Sequence, residues 1–82
     1  MERTLAEFIA YLHRIKNTSN NTEISYQRDL RKLIRYLDEQ NIHDFAEVTS
    51  LDLKGYLSEL KSENLASSTI SRNIASIRAL FQ

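Results

Sequence analysis

Four cationic side chains recur along one stretch of the chain at the spacing of a single helix face. They are Arg28, Arg31, Lys32 and Arg35. Positions i, i+3, i+4 and i+7 share one side of an α-helix, and aliphatic residues shifted by two positions mark the opposite side as apolar. A cationic stripe of this kind could bind the phosphates of a polyanion. The alternative is a solvated surface in which Arg35 pairs with Asp38 or Glu39, but the other three cations have only Asp29 nearby, off to the side.

A short polar sequence is repeated 47 residues apart, each time where a helix is predicted to start. The copies run from Asn17 to Thr22 and from Asn64 to Thr69, and each following helix carries arginine. The first N–H groups of a helix lack intrahelical partners and carry partial positive charge, so both starts are candidate phosphate sites. Each copy alone could be an ordinary N-cap. The duplication with matched arginines favours binding.

The second copy continues into a helix whose polar side carries small hydroxyl and amide groups around Arg72. Such residues suit close approach to phosphates or to base edges in a major groove, whereas a merely soluble surface more often carries Glu and Lys. Lys16 flanks the first turn and could also contact phosphate. The candidate DNA-binding residues are therefore Lys16, Ser19, Asn20, Thr22, Arg28, Arg31, Lys32, Ser67, Ser68, Thr69, Ser71, Arg72 and Asn73.

Other chemistry finds little support in the sequence. The chain has no cysteine, and His13 and His43 stand far apart without a matching carboxylate pattern, so we expect no metal and no cofactor. No glycine-rich phosphate loop is present, and no tyrosine has a base beside it in the sequence. Tyr26 and Tyr56 fall on apolar stripes and are predicted to be core residues with the hydroxyl at the rim. We therefore expect no catalytic residue and no small-molecule ligand.

Four helices must position these residues. They are predicted from Thr4 to Ile15, from Asn21 or Thr22 to about Gln40, from Thr49 or Ser50 to about Asn64, and from Ser67 or Ser68 to the end of the chain. Thr4 and Glu7 have the spacing of a capping box. In the long loop Ile42, Phe45 and Val48 are expected to reach the core. The predicted inward residues are Leu5, Phe8, Ile9, Leu12 and Ile15; Tyr26, Leu30, Leu33, Ile34 and Leu37; Leu53, Tyr56, Leu57 and Leu60; and Ile70, Ile74, Ile77, Leu80 and Phe81.

Composition limits the chain to one all-α domain over residues 1–82. There are 82 residues with no proline and one glycine, and no stretch shows sustained period-two alternation. No apolar run approaches the roughly 20 residues that span a bilayer, so no membrane partner is expected. The net charge is zero, but residues 43–65 carry −3 while residues 66–82 carry +2. Steering of a charged partner depends on that arrangement more than on the total.

Several of these residues, in this order, resemble the N-terminal core-binding domain of tyrosine recombinases, or phage integrases. The matching residues are Ser19, Thr22, Tyr26, Asp29 and Leu30; Val48, Thr49, Tyr56 and Leu57; and Ser67, Thr69, Ile70, Arg72, Ile74, Ile77, Arg78, Leu80 and Phe81. The resemblance implies a compact four-helix SAM-like bundle whose second and fourth helices face duplex DNA. In that family a catalytic domain, expected here after residue 82, completes a C-shaped clamp and supplies the catalytic residues.

The resemblance also implies other recombinase protomers as partners in a synaptic assembly, and a cytoplasmic location, which the lack of cysteine fits. If about five cations engage phosphates, log K should fall with log salt at a slope near −4 to −5. One alternative is a SAM-like protein-interaction module whose acidic third helix docks on another copy. A second is a piece of a helix-turn-helix repressor, although the predicted loops exceed the usual three or four residues.

Overall fold

A computed structural model describes residues 2–81, which form four α-helices and one turn of 3-10 helix. The helices are α1 (Glu2–Arg14), α2 (Asn20–Glu39), α3 (Ser50–Ser62) and α4 (Ser67–Leu80), and the 3-10 turn spans Phe45–Glu47. The described part of the chain contains no strand. The predicted all-α, four-helix architecture is confirmed.

Helix α2 is the centre of the fold, since it packs against each of the other three helices. Its predicted apolar stripe, Leu30, Leu33, Ile34 and Leu37, is buried in full. The same core cluster takes in Leu5, Phe45, Tyr56, Leu60 and Ile77. Ile42 and Val48 pack on its edge, so the long loop does reach the core as predicted. Burial of these apolar side chains, at about 2 kcal/mol each, supplies most of the free energy that stabilises helices too short to be stable alone.

The helix starts are built in different ways. At α2 the Ser19 hydroxyl accepts a hydrogen bond from the Thr22 backbone N–H at 3.2 Å. At α3, Thr49 and Asp52 form a reciprocal capping box. The N-cap of α4 is Ala66, which offers no side-chain hydrogen bond. The two copies of the repeated polar sequence therefore differ at the position where capping would matter most.

Three asparagines end the helices in a chain with a single glycine. Asn17, Asn41 and Asn64 have φ values of 52°, 62° and 58°, the left-handed region that asparagine tolerates better than most residues. After α2, the Asn41 N–H donates to the Asp38 carbonyl at 3.0 Å and the Ile42 N–H to the Leu37 carbonyl at 2.8 Å. These two bonds form a Schellman motif. Each copy of the repeat thus begins with an asparagine that follows the end of one helix and precedes the start of the next.

The predicted start and end of α1 are wrong. The helix already includes Glu2, so Thr4 lies inside it and cannot be the N-cap. Glu7 faces Arg3 across one turn at 3.6 Å instead of reaching back to Thr4. Ile15 follows the last residue of the helix and is 66% exposed, so it does not extend the apolar stripe.

The two core tyrosines also depart from the prediction. Tyr26 is only half-buried, with its ring stacked on Phe8 at 6.4 Å. The Tyr56 hydroxyl is not at the rim: it is buried and has no hydrogen-bond partner among residues 2–81. Its ring stacks on the ring of Tyr36, with the two ring centroids 5.3 Å apart.

The inward side of α4 is more polar than its apolar pattern predicts. Asn73 and Ser76, which the sequence places on the polar side, are 3% and 0% exposed. Ile74 is only half-buried and lies outside the core cluster, and Phe81 is 40% exposed. For Ser76 the reason is that α2 buries the carboxylate of Asp29, whose Oδ2 lies 3.3 Å from the Ser76 hydroxyl. The Asn73 amide donates instead to the Thr69 carbonyl of its own helix.

Candidate nucleic-acid interface

A groove of about 610 Å³ lies between α2 and α4. Within residues 2–81 its lining includes five cationic side chains, which are Arg28, Arg31, Lys32, Arg35 and Arg72. Thr69 and Asn73 add polar groups from α4, and Ile24 and Leu65 add apolar surface. The cationic stripe of one helix and the small polar residues of another thus share one concave surface.

The groove brings together six of the candidate residues named from the sequence. They are Arg28, Arg31, Lys32, Thr69, Arg72 and Asn73. Seven others are not in its lining: Lys16, Ser19, Asn20, Thr22, Ser67, Ser68 and Ser71. Lys16 lines a separate groove with Tyr11 and Leu80, between α1 and α4. Ser71 lies beside Ile74 and Arg78 on another face of α4.

Arg35 belongs to the groove although the candidate set omits it. The alternative pairing of Arg35 with Asp38 or Glu39 is not found among residues 2–81, where Asp38 contacts the Nδ1 atom of His43 at 3.0 Å. The signal that identifies Arg35 was in the sequence, since it continues the helical spacing of Arg28, Arg31 and Lys32 by one turn.

Two of the groove cations have acidic neighbours that helical spacing did not predict. Lys32 Nζ lies 3.0 Å from Glu63 Oε1 at the end of α3, and Arg31 Nε lies 4.0 Å from Glu2 Oε2 on α1. The expectation that only Asp29 is nearby was wrong because both acids come from other helices. Among residues 2–81, no carboxylate lies within 4 Å of the cationic groups of Arg28 or Arg35. These two arginines are the ones most open to an external anion.

The fifth cation, Arg72, is bound by Asp29 across the helix interface. Its Nε donates to Oδ2 and its Nη2 to Oδ1, each at 2.9 Å. The hydrogen bonds that Arg72 donates to Asp29, together with the negative charge of Asp29, raise the pKa of Arg72 further above its already high value, so the guanidinium stays charged. The Asn73 amide donates to the Thr69 carbonyl at 2.9 Å, while its Oδ1 is buried without a partner in the described chain. Sequence spacing could not reveal the Asp29–Arg72 pair, because its members are 43 positions apart.

The polar groups of the first repeat bond mostly to one another. The Ser19 and Thr22 hydroxyls lie 2.8 Å apart, and the Thr18 hydroxyl donates to Glu23 at 2.8 Å. The bond from Thr18 is the main cause that lowers the pKa of Glu23, outweighing the effect of burial, and His13 lowers it further. These contacts join α1 to α2 and leave fewer hydroxyl groups for an external phosphate.

No group of three His, Asp or Glu side chains within residues 2–81 is placed to hold a metal ion. None of the helices in that range is long and apolar enough to cross a membrane.

The fold and the groove define a small all-α domain with a cationic surface between two of its helices. The chain belongs to the family described as phage integrase, N-terminal SAM-like domain, whose model matches residues 5–82. The resemblance to the tyrosine recombinase and phage integrase family is thereby confirmed.

Proteins similar to the chain include bacterial tyrosine recombinases. Tyrosine recombinase XerC of Listeria welshimeri is 39% identical over 75 residues, which is 92% of the chain and 25% of that protein. Tyrosine recombinase XerC of Herpetosiphon aurantiacus is 33% identical over the whole chain and 27% of its own length. Tyrosine recombinase XerD of Oceanobacillus iheyensis is 32% identical over the whole chain and 28% of its own length. The chain thus spans about a quarter of these relatives, and no solved structure matches it.

Proposed function

We propose that the chain is the DNA-binding domain of a site-specific tyrosine recombinase and that it holds duplex DNA in the groove between α2 and α4. The observation that carries this proposal is the set of five cations that two helices bring into one concave surface. Phosphates attract such a surface whatever the base sequence, and contacts to them position a protein on the duplex.

The role of each helix follows from its side chains. Helix α2 contributes Arg28 and Arg35, which have no acidic partner within residues 2–81, and these bind phosphate most directly. Helix α4 contributes Thr69 and Arg72, whose compact surface lets the duplex approach closely. The remaining candidates at the helix starts, among them Ser19 and Ser67, lie outside the groove lining and are assigned contacts to the DNA backbone there.

The chemistry of recombination belongs to another part of the recombinase. The similar proteins are named tyrosine recombinases, and the chain covers only about a quarter of each. Strand cleavage and joining are assigned to a catalytic domain that follows residue 82 in the parent protein. Other recombinase copies, bound at the same cytoplasmic DNA site, are the protein partners.

An NMR titration with a nonspecific duplex of about 20 base pairs tests the proposal at low salt. We expect chemical-shift changes around Arg28, Arg35 and Thr69. Shifts centred on residues 52–63, or concentration-dependent association without any response to DNA, would instead identify a protein-interaction module. No response at low salt would refute DNA binding by this domain.

A pair of variants makes the test quantitative. Arg28→Ala removes a groove cation, whereas Lys61→Ala removes a cation from α3, away from the groove. Both changes alter the net charge equally. We expect Arg28→Ala to weaken duplex binding in fluorescence anisotropy and to reduce the salt slope by about 0.9, and Lys61→Ala to change both much less. Equal effects of the two variants would contradict the groove as the binding site.

A further inference from the structure

A buried carboxylate forms part of the proposed DNA-binding groove. Asp29 is 5% exposed and lies on α2 next to Arg28, one turn before Lys32. A negative charge here opposes phosphate binding through space. A buried carboxylate in a groove lined by five cationic side chains is therefore unexpected for binding, unless it has another role.

The geometry of the Asp29–Arg72 pair shows what that role can be. Nε and Nη2 of Arg72 each contact one oxygen of Asp29 at 2.9 Å, so the carboxylate occupies the side edge of the guanidinium. A guanidinium has five N–H donors. Three of them stay available, and two of these, one on Nη1 and one on Nη2, lie side by side along the end edge. Because the Arg72 side chain is 44% exposed and lines the groove, that edge can reach a ligand.

A buried serine on α4 also contacts the Asp29–Arg72 pair. The Ser76 hydroxyl is fully buried and lies 3.3 Å from Asp29 Oδ2 and 3.1 Å from the Arg72 carbonyl oxygen. Asp29 therefore sits between α2 and α4 with its position set from both helices. An arginine held at one edge by such a group loses much of the rotamer freedom that binding would otherwise remove.

We propose that Asp29 is a positioning residue that orients Arg72, so that the end edge of the guanidinium binds one phosphate of the duplex with two N–H donors. The inference rests on the proposed function of the groove. It assigns Arg72 two anionic partners at once, a protein carboxylate on one edge and a DNA phosphate on the other. The guanidinium fork suits both, whereas the ammonium of lysine cannot offer two flat edges.

The variant Asp29→Asn separates positioning from simple charge. If Asp29 acts only through its charge, its removal should tighten duplex binding and steepen the salt slope by about 0.9. If it positions Arg72, the variant should bind about tenfold more weakly, as expected for a lost charge-assisted hydrogen bond, although a negative charge has been removed. Asp38→Asn, which changes an exposed acid paired with His43, is the matched control and should not weaken binding.

The double variant Asp29→Asn/Arg72→Ala completes the cycle. We expect it to bind no more weakly than Arg72→Ala, because Asp29 acts through Arg72. Additive losses, or an Asp29→Asn domain that binds as tightly as the unchanged chain, would overturn the inference. Circular dichroism and urea unfolding of the 82-residue chain identify variants that fail to fold.

If Asp29→Asn does not fold, the variant Arg72→Lys tests the positioning role of Asp29 instead. It keeps both charges of the buried pair, but a lysine ammonium cannot bind a carboxylate on one edge and a phosphate on another. We therefore expect most of the loss of duplex affinity seen for Arg72→Ala, with little change in the salt slope. Unchanged binding by Arg72→Lys would refute the positioning role. The proposed function fails separately if the unchanged chain does not bind the duplex, and it survives if Arg28→Ala weakens binding while the Asp29 and Arg72 variants do not.

Discussion

At the scale of single residues, the Tyr56 hydroxyl is a buried polar group without a partner among residues 2–81. Burial is the main cause that raises the pKa of Tyr56 above its ordinary value of 10.0, and the negative charge of Asp29 adds to it. Above pH 10 the unfolded chain loses this proton while the folded chain keeps it. The free energy of unfolding therefore falls as pH rises, because the unfolded state then binds fewer protons.

The variant Tyr56→Phe tests this account. It keeps the ring that packs on Tyr36 and removes only the unpaired hydroxyl, so we expect stability at pH 7 to be equal or higher by about 1 kcal/mol. Between pH 9 and pH 11 the variant should lose less stability than the unchanged chain in urea unfolding. Tyr11→Phe, which alters an exposed tyrosine, is the control and should leave the pH dependence intact. An unchanged alkaline loss in Tyr56→Phe would contradict the assignment.

At the scale of helices, the sequence predicted α2 well and α4 less well. The stripe of Leu30, Leu33, Ile34 and Leu37 is apolar without interruption, so periodicity alone identified its buried side. In α4 the inward side includes Asn73 and Ser76. The Ser76 hydroxyl contacts Asp29, a partner on another helix, and periodicity within one helix carries no information about such a partner.

The sequence also predicted the helix starts only in part. The hydroxyl-rich second repeat predicted that α4 starts at Ser67 or Ser68; the helix starts at Ser67, and the side-chain cap that the repeat suggested does not form. The N-cap position falls on Ala66, one residue before the serines. A boundary error of one residue is usual in reading sequence patterns, and here it decides whether the first N–H groups have a partner.

The missing cap gives a prediction for Ala66→Ser. Ala66 already has the extended backbone of an N-cap, with φ −60° and ψ 146°, so a serine hydroxyl can accept from an N–H of the first turn. We expect the free energy of unfolding to rise by about 1 kcal/mol. Thermal or urea unfolding measures it. Ala75→Ser, on an exposed position inside α4, is the control and should be neutral or slightly destabilising; an equal gain there would rule out capping as the cause.

At the scale of the whole molecule, a net charge of zero hides an uneven distribution of charge. Linear spacing along α2 was enough to place its cations on one surface. It could not show that α4 completes that surface, or that acids from the ends of other helices approach it. Glu63 and Glu2 lie beside Lys32 and Arg31 only because the bundle brings α3 and α1 against α2. Carboxylates of the domain itself therefore compete with an external anion for two cations of the groove.

Glu63→Gln tests that competition. Glu63 contacts Lys32 at 3.0 Å, with both side chains about two-fifths exposed, so losing the pair should lower stability by at most about 1 kcal/mol. Lys32 then becomes available to phosphate. We expect duplex affinity to rise about fivefold and the salt slope to steepen by about 0.9, both read from fluorescence anisotropy between about 50 and 200 mM salt.

The matched control is Glu59→Gln, one turn earlier on α3. It removes the same charge from a residue whose carboxylate has no cation within 4 Å among residues 2–81. If net charge alone governs binding, the two variants will gain affinity equally, and the competition is refuted. A gain in affinity that is specific to Glu63→Gln means that the contact of Glu63 with Lys32, more than the total charge, limits the affinity of this domain for duplex DNA. Because α3 holds that contact, the position of α3 against α2 would then also set the affinity of the groove.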